Sequence, residues 1–404
     1  MKIHVNRQEM LAAAQDAEKI VPFLTPLETQ KCVFLSAENE MLTIAATSSE
    51  VALEHRIKAT VEEEGCAVIE ARLLCGMLRL LEDEAISISR EGYVLTVSGQ
   101  TAVYKVAISS EQDYPRAEIP FPEETVPVIG IPAMAKRTVF AVAQEESRPV
   151  MKCVHMIFTS DGLNAVSSDS YRIAIAKGDR RSTGAVSFLM PAISLSLLAQ
   201  LVTNKDQLRV GITGKTVVFT KENFLFSARL IEGSYFDADQ LMHRVQSAFI
   251  VLTDAERLRS AVQSTCAVRG QQSRFCFIFL GNTLRVTHEN EFGRSSVDLD
   301  VVPLSGTPAG TYWYTVGKLV ECLRAQNGTM MLEVAPNGAL LMRTDDLICM
   351  QMAIREPGPV VLAAPRIKRE IKAKRGISGS DAGGKPMQKE SRTKSNAAAL
   401  SEAA

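Results

Sequence analysis

Residues 3–21 read IHVNRQEMLAAAQDAEKIV, and this stretch decides the fold because the same pattern occurs three times in the chain. Apolar and polar residues alternate at its start, which predicts a strand. Apolar residues then recur at a spacing of three and four, which predicts a helix. Met134 and Leu258 take the place of Met10 in the other two copies, so one structural unit is repeated along the chain. Those copies read VIGIPAMAKRTVFAVAQEES (residues 128–147) and FIVLTDAERLRSAVQSTCAV (residues 249–268).

A second strand-helix segment follows each opening, and a hairpin follows each second segment. The sequence therefore predicts an α+β fold of three tandem domains, each with antiparallel sheet and two helices. The second segments are CAVIEARLLCGMLRLLEDE (66–84), SFLMPAISLSLLAQLVTNK (187–205) and TYWYTVGKLVECLRAQNGT (311–329). The hairpin turns are Glu91-Gly92, Gly214-Lys215 and Asn337-Gly338. The last strands are TAVYKVAI (101–108), FLFSARLI (224–231) and LICMQMAI (347–354).

Proline and acidic residues cluster where we expect the domains to meet, in DYPRAEIPFPEETVPV (113–128) and EGSYFDADQLMHRVQS (232–247). A chain of 404 residues fits three domains of common size. Beyond Arg355 the repeat stops, and basic residues outnumber acidic ones two to one. We expect a disordered tail there. It would either make an electrostatic contact with DNA or with an acidic partner, or serve only to keep the protein soluble. The predicted divisions are 1–125, 126–245, 246–355 and the tail 356–404.

The composition excludes several classes of protein. Hydrophobic residues make up 46% of the chain and charged residues 23%, which is ordinary for a soluble globular protein. No apolar run approaches the ~18 residues of a membrane span, and the N-terminus MKIHVNRQEM enters a strand without a secretory segment, so we expect no membrane and a cytoplasmic location. The eight cysteines form no CxxC pair and no histidine stands at metal-ligand spacing, so we expect buried thiols, no metal and no cofactor.

Two patterns are compatible with catalysis, and neither is specific. Gly214-Lys215-Thr216 lacks the earlier glycine of a phosphate-binding loop and precedes a strand rather than a helix. Asp161 and Asp169 flank the two ends of a predicted strand, where turn and cap roles are favoured over acid catalysis. We therefore expect no enzyme, and Asp161 with Asp169 is the alternative that remains.

Basic residues concentrate on the repeated helices, while the second helix of the middle copy has none. Such helices are either ordinary solvated faces or a positive surface that binds phosphates without reading bases. Aromatic residues make up only 6% of the chain and do not alternate with the basic positions, so single-strand binding by stacking is not expected. The basic positions are Arg7, Lys19, Arg72, Arg79, Lys136, Arg137, Arg257, Arg259, Lys318 and Arg324.

The three tandem units, together with SSDSYRIAIAK (167–177), FSARLIEGSYFD (226–237) and MQMAIR (350–355), resemble the bacterial DNA polymerase III sliding clamp, or beta subunit, over residues 1 to about 355. The resemblance implies a head-to-tail dimeric ring of the DNA clamp fold, with helices inside and sheets outside. Such a ring encircles double-stranded DNA, tethers the polymerase and is placed by a clamp loader. It has no catalytic site or cofactor. The implied DNA-binding residues are Arg7, Arg72, Arg79, Lys136, Arg137, Arg148, Arg257 and Lys318.

The resemblance also implies two protein contacts. The dimer seam would join Tyr104 and Val106 of one copy to the region of Ala267 and Val268 of the other. A partner-peptide pocket would lie between the second and third domains and bind a short peptide with a glutamine and large apolar anchors. Its residues would be Met151, Ser168, Ser170, Tyr171, Arg172, Ile173, Phe236, Gln240, Leu241, Met242, Met350, Met352, Ala353 and Ile354.

Four positions depart from the family pattern. The family usually has proline at Phe236 and Ala353, a basic residue at Gln240, and an arginine at Leu24. The departures at Leu24 and Gln240 motivate an alternative, in which the chain is a clamp-like scaffold or decoy that binds partner peptides or a host clamp without encircling DNA.

Overall fold

The computed structural model describes residues 1–119, 121–145, 148–159, 162–178, 186–267, 270 and 273–360. Within them it contains seven helices and 25 strands, and the strands pair antiparallel. This confirms the predicted α+β class with three tandem units. None of the helices found there has the length and apolar character needed to traverse a lipid bilayer. Residues 361–404, which include most of the predicted tail, lie outside the described residues, as do Asp161 and Val268.

The first domain opens with a strand that passes directly into a helix. The helix begins at Arg7 because the Asn6 side chain accepts hydrogen bonds from the main-chain N–H groups of Gln8 (2.9 Å) and Glu9 (3.1 Å). Its elements are β1 (Lys2–Asn6), α1 (Arg7–Ile20), β2 (Cys32–Glu38), β3 (Met41–Thr47), β4 (Val51–Glu63), β5 (Gly65–Glu70), α2 (Ala71–Leu80), β6 (Ala85–Glu91), β7 (Val94–Ser98) and β8 (Val103–Ala107).

The second domain repeats this order. Its first helix begins after Gly130, whose φ of 82° is a left-handed conformation that glycine adopts without strain. Its elements are β9 (Val126–Val128), α3 (Ile131–Thr138), β10 (Cys153–Thr159), β11 (Gly162–Ser168), β12 (Arg172–Lys177), β13 (Val186–Pro191), α4 (Ala192–Leu201), β14 (Leu208–Thr213), β15 (Thr216–Lys221) and β16 (Phe224–Arg229).

A helix in the linker precedes the third domain. This helix, α5 (Ala238–Arg244), begins where the Asp237 carboxylate accepts a hydrogen bond from the Gln240 N–H (2.9 Å). The third domain consists of β17 (Phe249–Asp254), α6 (Ala255–Thr265), β18 (Ser273–Leu280), β19 (Thr283–Asn290), β20 (Gly293–Asp300), β21 (Val302–Ser305), β22 (Ala309–Trp313), α7 (Val316–Ala325), β23 (Thr329–Val334), β24 (Leu340–Arg343) and β25 (Leu347–Gln351).

The sheets run through both domain junctions. The last strand of the second domain, β16, pairs with β4 of the first, where Phe226 faces Leu53. The last strand of the third domain, β25, pairs with β12 of the second, where Cys349 faces Ala174. Backbone hydrogen bonds therefore join consecutive domains, and each junction uses the same two strand positions.

Side chains alternate between the two faces of these sheets. On the face that carries the helices, one continuous apolar core runs through the domains and includes Leu53, Ala174, Phe226 and Cys349. On the opposite face a smaller cluster lies at the second junction. That outer cluster contains Val166, Ile173, Ile175, Ala238, Leu341, Ile348 and Met350.

Candidate nucleic-acid interface and partner site

The helices form pairs on one face of the sheets. Helix α1 packs on α2, α3 on α4, and α6 on α7, and the first helix of each pair lies on equivalent strands, β3 with β4, β11 with β12 or β19 with β20. Neighbouring pairs touch, since the Lys19 ammonium donates a hydrogen bond to the Gln200 carbonyl at 3.2 Å. Repetition of one unit thus places the six helices in successive, equivalent positions.

These six helices carry twice as many basic as acidic side chains, although residues 1–355 as a whole are slightly acidic. Arg72, Arg79, Lys136 and Arg257 are exposed. The acidic Glu18 on α1 lies 3.2 Å from the Arg79 guanidinium and 3.9 Å from that of Arg72. The helix face is therefore relatively positive, and its exposed cations are accessible to an anionic partner.

Three of the predicted DNA-binding residues are half-buried and engaged within the protein. Arg7 donates from Nε to the Asp83 carbonyl at 2.8 Å and from Nη1 to the Leu78 carbonyl at 3.2 Å, so it closes the C-terminal end of α2. Arg137 forms an ion pair with Asp346. Lys318 is the third, and its contacts lie at the second junction. Their charges are already used in contacts that stabilise the fold. A role for these residues in DNA binding stays a prediction.

Lys318 of α7 pairs with the buried carboxylate of Asp169, and its ammonium lies 4.9 Å from the centroid of the Tyr171 ring. Asp169 also accepts hydrogen bonds from the N–H groups of Tyr171 and Arg172, both at 3.0 Å. The predicted turn role of Asp169 is therefore confirmed. Nearby, Arg148 is exposed and donates to the Ser170 hydroxyl at 3.4 Å.

Only some of the predicted pocket residues lie together on one surface of the protein. Ile173 and Met350 face each other across β12 and β25 in the outer cluster. The linker packs onto that cluster through Phe236, Leu241 and Met242. The helix α5, which the sequence did not predict, therefore covers part of the site. Asp237 followed three positions later by Gln240 is the capping pattern that could have indicated it.

Two of the predicted pocket residues lie on the other face of the sheet. Arg172 precedes Ile173 along β12, and adjacent strand residues point to opposite faces. Its side chain, in a residue that is 5% exposed, therefore enters the helix side. Ala353 likewise packs against the main core. The structure does not bring Arg172 and Ala353 together with the outer cluster: strand alternation turns Arg172 away from it, and Ala353, just beyond β25, packs on the main core instead.

The exposed part of the site is an apolar strip beside the turn at Ser170. Tyr171, Met352 and Ile354 are 63%, 37% and 41% exposed, and the Met352 N–H donates to the Tyr171 carbonyl at 3.0 Å. Gln240 is exposed on α5. Of the other predicted residues, Met151 is buried and the Ser168 hydroxyl donates to the Arg172 carbonyl at 2.8 Å. The strip is the accessible apolar surface of this site.

The predicted seam residues lie beside a sheet edge. Tyr104 and Val106 of β8 pack partly on the main core, and β8 pairs with β7 alone among the described strands. In the third domain, β20 pairs with β19 alone among those strands. Ala267 is exposed just beyond α6, whose Thr265 carbonyl accepts a hydrogen bond from the Ser295 hydroxyl of β20 at 2.6 Å.

Little in the described residues points to bond-making chemistry. No group of three or more His, Cys, Asp or Glu side chains there is positioned to hold a metal ion. All eight cysteines are free thiols. Burial raises the pKa of the Cys75 thiol to about 12 and that of the Cys153 thiol to about 11, so neither is an activated nucleophile at neutral pH.

Comparisons with known proteins agree with this architecture. A family model for the DNA polymerase III beta subunit, N-terminal domain, matches residues 1–118, and one for its central domain matches residues 126–237. The two models together match more than half of the chain. The beta sliding clamp of Bacillus subtilis is 24% identical over 286 residues, which are 67% of this chain and 75% of that protein.

Solved structures show the same fold. A crystal structure of a putative DNA polymerase III beta subunit from Eubacterium rectale has a TM-score of 0.82 at 18% identity, covering 88% of this chain and 99% of that chain. The DNA polymerase sliding clamp from Bacillus subtilis has a TM-score of 0.81 at 17% identity, covering 88% of this chain and 100% of that chain. The repeated units, the helix pairs and the matches to two consecutive domains show that this chain belongs to the DNA polymerase III beta subunit family.

Proposed function

We propose that this protein is a DNA sliding clamp, a non-catalytic processivity factor whose dimer encircles double-stranded DNA and holds a polymerase on it. The single observation that carries the proposal is the repeated junction. The last strand of the second domain pairs with β4, and that of the third pairs with β12. The last strand of the first domain, β8, and the third equivalent strand, β20, are left with one pairing partner each in the described residues.

Two copies related by a two-fold axis satisfy both edges, because β8 of each copy then pairs with β20 of the other. Edge strands with unpaired backbone groups favour such an addition. The result is a ring of six equivalent domains with the helices on one continuous side. This closure places Tyr104, Val106 and Ala267 near the seam, where apolar contact supports the strand pairing.

The charge of the helix face supports the DNA partner. Exposed cations such as Arg72, Lys136 and Arg257 suit contact with phosphates and carry no base readout. A closed ring stays on DNA by topology, so each contact can be weak. Weak contacts permit sliding, whereas a tight basic groove would stop it.

We further propose domain divisions at 1–125, 126–245 and 246–355, and a cytoplasmic location. The polymerase and a clamp loader are the expected protein partners. They would bind through the strip of Tyr171, Met352 and Ile354 and the adjoining part of the outer cluster, since apolar walls with a few polar groups fit a peptide anchor.

The test compares DNA topologies. The full chain, loaded onto nicked circular DNA, should remain bound through gel filtration at high salt and should leave when the circle is cut. Equal release from circular and linear DNA would reject encirclement. The alternative of a clamp-like scaffold or decoy finds no support among the relatives, and a mixed-subunit pull-down separates it: exclusive capture of another clamp, with no self-dimer, would favour it.

A further inference from the structure

The two junctions inside the chain use one strand register. At the first, Ala52 of β4 faces Ser227 of β16. At the second, Ile173 of β12 faces Met350 of β25. All four side chains lie on the sheet face away from the helices, because their strand neighbours enter the main core. The register can therefore be extended to the seam by finding the equivalent residues on β8 and β20.

Arg294 is the equivalent of Ala52 and Ile173 in the third domain. Ala52 and Ile173 each face the seventh residue of the strand before them, in β3 and β11. The seventh residue of β19 is Glu289, and Arg294 faces it.

Lys105 is the equivalent of Ser227 in the first domain. Ser227 faces Val218, the third residue of β15, and Lys105 faces Thr96, the third residue of β7. In both hairpins the strand before the last one begins after a two-residue turn, so the count starts from the same place. Lys105 is exposed, as is Arg294.

We infer that Lys105 of one copy faces Arg294 of the other across each seam, so the ring closes against a like-charge cross-strand pair. The inference rests on the proposed ring. It adds that this pair of residues lowers the affinity with which the two copies join. Like charges directly opposite each other on a sheet are destabilising. Because a two-fold ring has two seams, the penalty applies twice.

The surrounding residues do not neutralise this pair. In the described residues no acidic group lies within ion-pair distance of Lys105 or Arg294 in a single copy. Glu289 faces Arg294 across the ladder, but its carboxylate lies 3.8 Å from the Arg274 guanidinium and forms its ion pair there instead of with Arg294. On the other side of Lys105, the residue that faces it on β7 is the uncharged Thr96. The diagonal neighbours across the seam in this register are Val103, Ala107, Phe292 and Ser296.

A cationic pair at the seam gives closure an unusual dependence on salt. Ion-paired interfaces weaken as salt rises, whereas repulsion between two cations is screened by it. The dimer of this protein therefore tightens with salt in the range where the exposed pair is screened. The ring opens most easily at low ionic strength.

The test measures the dimer dissociation constant of the full chain by analytical ultracentrifugation, from about 50 mM to about 500 mM NaCl, where the Debye length shortens several-fold. Lys105→Glu or Arg294→Glu turns repulsion into attraction at both seams and is expected to lower the constant about tenfold at low salt. The double variant places two acids opposite each other and should return to within about threefold of wild type.

A matched control is Lys58→Glu, since Lys58 is exposed on the same sheet face, on β4 and away from both seam strands. It changes the net charge equally and should leave the constant within about twofold. Additive effects of the two single variants, or no effect of either, in a protein that does dimerise would overturn the inference while the ring stands. Monomers in every variant would reject the ring itself. Thermal unfolding of each variant checks that the exposed substitutions leave the fold intact.

Discussion

Arg172 of β12 places its Nη1 atom 2.6 Å from the Glu321 carboxylate of α7, so a buried guanidinium joins the second and third domains. The same group donates to the Lys318 carbonyl at 3.0 Å and to the Phe140 carbonyl. Replacing Arg172 by Ala leaves these acceptors unpaired. We expect the free energy of unfolding to fall by about 3 kcal/mol, as measured by chemical denaturation.

Arg56→Ala is the control for that substitution, because the Arg56 side chain is 57% exposed and lies 3.7 Å from Glu54 on an open sheet face. It should change stability by no more than about 0.5 kcal/mol. Equal effects of the two substitutions would contradict a junction role for Arg172.

The helix cations are expected to set the salt dependence of DNA binding. Replacing Arg72, Lys136 and Arg257 by Ala should lower the slope of log affinity against log salt by about 0.9 for each phosphate that is no longer neutralised. Fluorescence anisotropy with a duplex of arbitrary sequence measures the slope. Lys58→Ala, on the opposite sheet face, should leave it unchanged, and an unchanged slope in the helix variants would remove the proposed interface.

Arg7 is expected to behave differently from those three residues. Its guanidinium caps the end of α2 through the carbonyls of Leu78 and Asp83. Arg7→Ala should therefore lower the unfolding midpoint, with a decrease in stability of about 1–3 kcal/mol for the unpaired acceptors. Its effect on the salt slope of DNA binding should be small. A stable variant with a reduced slope would assign Arg7 to DNA instead.

The apolar strip should carry the affinity for partner peptides. Tyr171→Ala combined with Met352→Ala is expected to weaken binding of a glutamine-containing peptide with large apolar anchors at least about tenfold, since aromatic anchors dominate such contacts. Isothermal titration measures the constant. Tyr93→Ala, at an exposed hairpin turn of the first domain, is the control. Equal peptide affinities of the double variant and the control would show that the peptide binds at another site.

The thiols of Cys75 and Cys153 should resist alkylation in the folded protein. Burial raises their pKa to about 12 and about 11, so the reactive thiolate is scarce at pH 8, and the chain shields both sulfurs. Mass spectrometry after iodoacetamide treatment should find them modified only in denaturant. The partly exposed Cys66 serves as the internal comparison, and rapid native labelling of Cys75 would show that its helix opens.

Much of the fold was predictable because its signals are local. The alternation before Arg7 and the three and four spacing after it specify a strand and a helix within a few residues. The short helix α5 was not predicted, since its sequence lies in a proline- and acid-rich boundary and its stability comes from packing Leu241 and Met242 on a distant sheet. The candidate pocket was predicted as one set, although β12 points Arg172 and Ile173 to opposite faces.

The sequence by itself determined that three equivalent α+β units follow one another, because periodicity and turn chemistry act over short stretches and repeat visibly. Only the tertiary structure decided which cations stay exposed, as with Arg72, and which are engaged internally, as with Arg7 and Lys318. It also decided that β4 and β12 are covered at the junctions while β8 and β20 remain at the edges. Those outcomes depend on which strands and helices meet from distant parts of the chain, and no local pattern of residues encodes such meetings.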